Sequence, residues 1–244
     1  MGASEIIKKI FPPLTRSKRG LAKAEFIPRA PRVLGGLLDQ LVLHLIWGQE
    51  VIIPKIVDIS VSGIAVKGED LAKLGLLPKG QAMGRVLLSG EEIGLSLSLA
   101  RVEQNIYCFR FEGNFSRLRS LLYQHFTPEF LGAAMMAVAE GRLAQRGSGL
   151  AARWFTSESG DELYFALDAM GVARIVDINV FGIRVRMNRE AGLLIAFSEG
   201  FSEEDSNWSR TLPADAIAYL RRFLASIRGL SAGEASALDE IFAS

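Results

Sequence analysis

Leu41, Leu43, Leu45 and Trp47 stand at every second position, the period of a strand with one buried face. The same reading predicts strands over Glu50–Ile59, Val61–Lys67, Met83–Leu88, Ile93–Val102 and Ile106–Phe111, with Pro54 marking an edge or a bend. Gly-Gln, Ser-Gly and Gln-Asn pairs separate several of these segments, and short strands so spaced indicate an antiparallel barrel or sandwich. A helical turn is expected over Glu69–Leu76. At Ser116 the period changes: Leu118, Leu121 and Leu122 share one face of a helix over Arg117–Phe126. Thr127-Pro128-Glu129 supplies a cap, an N1 proline and an acid, and starts a further helix expected to reach about Gln145. Its stripe of Phe130, Leu131, Ala134, Met135, Val138 and Leu143 should be buried. Arg146-Gly147-Ser148-Gly149 ends it and sets the expected domain boundary.

Beyond that boundary the plan returns in shorter form. Strands fit Ala151–Thr156, Glu162–Asp168, Val172–Ile178, Phe181–Met187 and Leu193–Phe197, then helices from about Pro213 to Ile227 and from a Ser231 cap to near Phe242. One stretch occurs in both halves. Residues 56–66 read IVDISVSGIAV and residues 175–185 read IVDINVFGIRV, with Asp58 and Asp177 119 positions apart. On that match two barrel-like units should superpose, Asp58 on Asp177 and Gly63 on Gly182.

Composition adds limits. A chain of 244 residues, 49% of them hydrophobic, can bury one large core or two small ones. No apolar run reaches the roughly 18–20 residues of a membrane span, and the N-terminus lacks a signal-peptide layout, so a cytoplasmic protein is expected. The single cysteine, Cys108, excludes an internal disulfide, and its apolar surroundings suit a small buried residue. Two histidines in separate segments offer neither a zinc site nor a triad. No Walker loop and no Gly-x-Gly-x-x-Gly after a strand is present, so no enzyme is expected. Residues 1–32 hold eight basic residues against Glu5 and Glu25, a balance of +6 within a chain of net +1. Such an arm points to an anionic ligand or partner, or to a solvated tail.

The order is thus a basic arm, a strand pair, the turn Asp58-Ile59-Ser60-Val61-Ser62-Gly63, three strands and a Leu-rich helix. It resembles the PilZ domain, a small six-stranded β-barrel of bacterial proteins that binds the second messenger cyclic di-GMP. The resemblance covers residues 28–126, and residues 150–228 look like a degenerate second copy. It implies a mainly β fold with flanking α-helices, as two PilZ-like antiparallel β-barrels each followed by a helix. The expected division is a basic arm over 1–27, a barrel with helices over 28–146, and the degenerate copy with its helices over 150–244. It also implies a non-enzymatic regulator that binds cyclic di-GMP, uses no cofactor or metal, and passes the signal to an unidentified protein partner. The family's two-arginine half-site falls on Arg29 and Arg32, here with two residues between them where the family has three. Arg142 and Arg146 show the family's spacing ahead of the second copy.

The residue chemistry agrees. A guanine edge offers O6 and N7 to a guanidinium, and its N–H donors suit a carboxylate such as Asp58. Arginine also forks onto phosphate. Ser60 shares the face of Asp58, and Gly63 permits a close approach. The candidate ligand residues are therefore Arg29, Arg32, Asp58, Ser60 and Gly63. In the second copy Asn179 replaces the serine and Phe181 crowds the turn. Two alternatives stand beside this reading. Asp and Ser before a glycine are ordinary turn residues, which would leave a ligand-independent adaptor of the same fold. An arm of +6 also suits nucleic acid or an anionic membrane surface, although only Phe11 and Phe26 interleave its charges.

Overall fold

The computed structural model describes residues 30–47, 49–69, 71, 81–139, 149–199 and 208–243. The expectations for the basic arm, Arg29, Leu143, Arg142, Arg146 and most of the Glu69–Leu76 turn lie outside them. The protein is mainly β, with flanking helices. Eight strands form the first sheet: β1 (Val33–Leu34), β2 (Leu41–Trp47), β3 (Glu50–Ile52), β4 (Ile56–Ser60), β5 (Gly63–Lys67), β6 (Gln81–Leu88), β7 (Glu91–Glu103) and β8 (Ile106–Glu112). Their order across the sheet is β1-β4-β5-β8-β7-β6-β2-β3. Every neighbouring pair is antiparallel. The long β7 pairs with β6 over Glu91–Ser98 and with β8 over Ser96–Glu103, so its two partners are staggered along it.

Alternation sets the core. One in-register row, Val33–Ile59–Ile64–Phe109–Leu99, crosses β1, β4, β5, β8 and β7. The first four of these residues are buried and Leu99 is partly so. Each fully buried side chain of this kind contributes roughly 1.5–3 kcal/mol. The helix α1 (Ser116–Ala134) covers this core with Leu118, Leu121, Leu122, Phe126 and Phe130. The two helices expected on either side of Phe126 are joined end to end, with Phe126 itself non-helical (φ −125°, ψ 23°). Pro128 lacks the N–H that a continuous helix would need, and so causes the kink before it.

The second helix stops at Ala134 and does not run on to Gln145. Met136–Ala137 instead form a short strand, β9, against Phe155 and Thr156. Met135, expected on a helical stripe, is buried in the second core. The second sheet has the order β14-β13-β12-β11-β10-β9, from β10 (Ala151–Thr156), β11 (Glu162–Leu167), β12 (Ala173–Val180), β13 (Ile183–Asn188) and β14 (Leu193–Glu199). Helices α2 (Ala214–Ser226) and α3 (Ala232–Asp239) follow. Ser231 caps α3 in a full capping box with Glu234. Each sheet has its own hydrophobic cluster, and α1 and α2 meet between them.

At that joint Arg222 of α2 donates from Nε to Glu129 Oε1 (2.6 Å) and from Nη2 to Glu129 Oε2 (2.9 Å). The Glu129 side chain is only 4% exposed, against 47% for Arg222. Removing the guanidinium would strand a buried carboxylate. Arg222→Ala should therefore destabilise the fold by roughly 2–4 kcal/mol, below the full cost of a buried pair because Arg222 is half-exposed. Denaturant unfolding measures it, and an unchanged midpoint would show that the two helices do not depend on this bridge.

Candidate functional site

The row beside the core row carries the chemistry. Leu34–Asp58–Ala65–Cys108–Arg101 lie opposite one another across the same five strands. Neighbouring residues of a strand point to opposite faces, so this row stands on the face away from the core. Its middle is low, because Ala65 and Cys108 are small. The result is a cleft of about 450 Å³ lined by Arg32, Val57, Asp58, Ala65, Arg101, Glu103, Gln104, Ile106 and Cys108. That volume falls within the roughly 300–1,000 Å³ of small-molecule sites.

On one wall Arg32 Nη1 donates to Asp58 Oδ1 at 2.9 Å. Their side chains are 35% and 17% exposed. Arg32 comes from the segment entering β1, and Asp58 follows a register irregularity between Ile56 and Asp58 in β4. A bulge there turns the local strand and re-aims the next side chain. On the other wall Arg101 follows a second irregularity, between Leu99 and Arg101 in β7. Simple alternation from Leu99 would send Arg101 to the core face, and the extra residue, Ala100, sets it opposite Cys108 instead. A side-chain hydrogen bond with Cys108, then the charge of Glu103, hold the Arg101 guanidinium above its ordinary range. The β7–β8 turn has positive φ at both Gln104 (45°) and Asn105 (64°), the geometry of a tight hairpin, and Gln104 lines the cleft.

Of the residues picked from the sequence, the structure unites Arg32 and Asp58. Arg29 lies outside the described residues. Ser60 and Gly63 do not line the cleft but build the hairpin beside it. Ser60 is buried, its hydroxyl accepting from the Ser62 N–H (3.3 Å) and reaching the Gly63 carbonyl (3.3 Å). Gly63 lies in β5, where a Cβ would sit 2.4 Å from the Phe109 carbonyl oxygen. The linear sequence does not mark Arg101, Glu103, Gln104 and Cys108 as site residues. Alternation alone misplaces Arg101, and only the cross-strand register sets these residues around the cleft. Among the described residues no three His, Cys, Asp or Glu cluster to hold a metal ion, and no helix is long and apolar enough to cross a membrane.

The repeated stretch does not repeat its hairpin. In the first copy Ser60 pairs with Gly63 around a Val61–Ser62 turn. In the second, Val180 pairs with Ile183 around Phe181–Gly182, with φ of 45° and 80°. The turn thus closes one residue later, and the Phe181 N–H is anchored by Asp161 Oδ1 at 3.1 Å. Gly182 is a turn residue and Gly63 a strand residue, so the expected pairing of the two glycines fails. Asp177 accordingly faces Arg186 on the neighbouring strand and accepts from its Nε (3.3 Å), whereas Asp58 faces Ala65. Arg186 also lies over the Trp208 ring, 5.2 Å from its centroid.

Fold and cleft together define a mainly β protein with a small polar cleft on the outer face of its first sheet. No family model matches the chain, and no curated protein matches it. Among solved structures it is similar to the Borreliella burgdorferi PlzA protein, crystallised in complex with c-di-GMP, at 13% identity and a TM-score of 0.27, over 79% of this chain and 93% of that one. A likeness of that degree leaves function to be argued from the residues.

The Arg32–Asp58 pair is partly exposed, and such pairs are worth under about 1 kcal/mol. Asp58→Ala should therefore leave the thermal unfolding midpoint within a few degrees of wild type. A collapse of the fold would make the pair structural rather than available to a ligand.

Proposed function

We propose that the chain is a non-enzymatic receptor for cyclic di-GMP, which it takes in the cleft between Arg32–Asp58 and the β7–β8 edge. The supporting observation is the juxtaposition of a guanidinium and a carboxylate, 2.9 Å apart, at one wall of a cleft with a small-residue floor. Cyclic di-GMP needs both kinds of group. Its guanine O6 and N7 and its phosphodiesters accept hydrogen bonds, which arginine supplies in a planar fork. Its guanine N–H groups donate, and a carboxylate receives them. The sequence resemblance to PilZ domains points to the same ligand, through the same aspartate and an arginine before the first strand.

In this reading Arg29 acts with Arg32, while Ser60 and Gly63 hold the hairpin that presents Asp58. The chain is organised as the arm over 1–27, a PilZ-like barrel with helices over 28–146 and a degenerate copy over 150–244. The second copy serves as scaffold and as a surface for a protein partner, because Asn179 stands where the first copy has Ser60 and the bulky Phe181 where it has Ser62.

A second reading has its own observation. Arg32 and Asp58 already satisfy one another, and the Ser60 hydroxyl is held inside the turn, as a ligand-independent adaptor of this fold would also require. Isothermal titration of the full chain separates the two. Binding of cyclic di-GMP is expected for wild type, with Arg32→Ala and Asp58→Ala each weakening it by about ten- to a hundredfold, the loss of one charge-assisted hydrogen bond of about 1.5–3 kcal/mol. Asp177→Ala should change it little. No heat from wild type at tens of micromolar ligand would select the adaptor.

A further inference from the structure

We propose that Arg101 and Glu103 form a second ligand-gripping pole of the cleft, opposite Arg32–Asp58, so that the site takes both halves of a two-fold symmetric guanine dinucleotide. This inference rests on the cyclic di-GMP reading and assigns the far half of its site. Each pole pairs one guanidinium with one carboxylate, Arg32 with Asp58 between two segments of the chain and Arg101 with the more exposed Glu103 along β7. Arg101 Nη1 lies 3.3 Å from Glu103 Oε1, as Arg32 Nη1 lies 2.9 Å from Asp58 Oδ1. All four residues line the cleft. Asp58 and Arg101 each stand just after a register irregularity, in β4 and β7 respectively. In the in-register row that joins them, Ala65 and Cys108 lie between. Three inter-strand steps of about 4.8 Å separate the two walls, roughly 14 Å between backbones. The side chains of both walls reach in over the small floor of Ala65 and Cys108.

The charge balance is specific. Each pole carries one guanidinium and one carboxylate, so the cleft is not a simple anion trap. A polyanion without donors would meet Asp58 and Glu103 unfavourably. A guanine presents acceptors and donors on adjacent edges, and so answers both members of a pole. An adenine lacks the N1–H and would place a lone pair against the carboxylate. Two poles therefore call for two guanines, with the phosphodiesters between them within reach of the two arginines.

Titration calorimetry on the full chain, with cyclic di-GMP and with cyclic di-AMP as the control ligand, tests this. Arg101→Ala is expected to lower cyclic di-GMP affinity by about ten- to a hundredfold, with an unchanged thermal midpoint. Arg101→Lys should recover only part of the loss, since an ammonium keeps the charge but not the fork. Glu103→Gln should narrow the preference for cyclic di-GMP over cyclic di-AMP by at least severalfold. If Arg101→Ala and Glu103→Gln both titrate like wild type while Asp58→Ala loses binding, the second pole is refuted and the receptor reading stands. If wild type itself gives no binding, the receptor reading fails, and the second pole falls with it.

Discussion

The pleat of the first sheet is the constraint on which the cleft depends. Val33, Ile59, Ile64 and Phe109 must face the core to be removed from water, and this commits their neighbours to the other side. Leu34, Asp58, Ala65 and Cys108 follow at the next register position on the same four strands. The row that carries Asp58 is thus laid out beside the core row without any freedom of its own. A one-residue slip of β4 against β5 would bury Asp58 and expose Ile59. The hydrophobic effect holds the register, and the register holds the site.

The two bulges refine what the pleat begins. Strict alternation in β7 would spend Arg101 on the core face, where a guanidinium without partners is costly. The extra residue at Ala100 moves it to the cleft, opposite Cys108. The cleft is also tied to the second half of the chain. Arg228, in the turn after α2, donates from Nη2 to the backbone carbonyl of Arg32 at 3.0 Å. The backbone of the arginine that faces Asp58 is therefore tied to the second half, which also meets the first where Arg222 grips Glu129.

The two copies of IVDI show how far like sequence carries. Both form antiparallel hairpins with the same neighbours in letters, yet the first closes at Val61–Ser62 and the second at Phe181–Gly182. The deciding contacts come from elsewhere. In the first, the Phe109 carbonyl fills the space a Cβ at Gly63 would need, and the Phe111 N–H bonds the Ser62 carbonyl at 3.0 Å. In the second, Asp161 draws the Phe181 amide into the turn.

Sequence by itself determined the strand-rich plan, the placement of most strands to within two or three residues, the α2 and α3 helices and the Ser231 cap. These follow from local period and local chemistry, which a chain carries along its length. It also marked Asp58 and Arg32, because a charged residue in an apolar strand and a basic arm are visible in one dimension. The end of α1 at Ala134 was decided only in three dimensions, where Met135 is buried in the second core. So were the bulges at Val57 and Ala100, the cross-strand row from Asp58 to Arg101, and the different turns of the repeated stretch. Each depends on a partner strand distant in sequence, whose register no local pattern encodes.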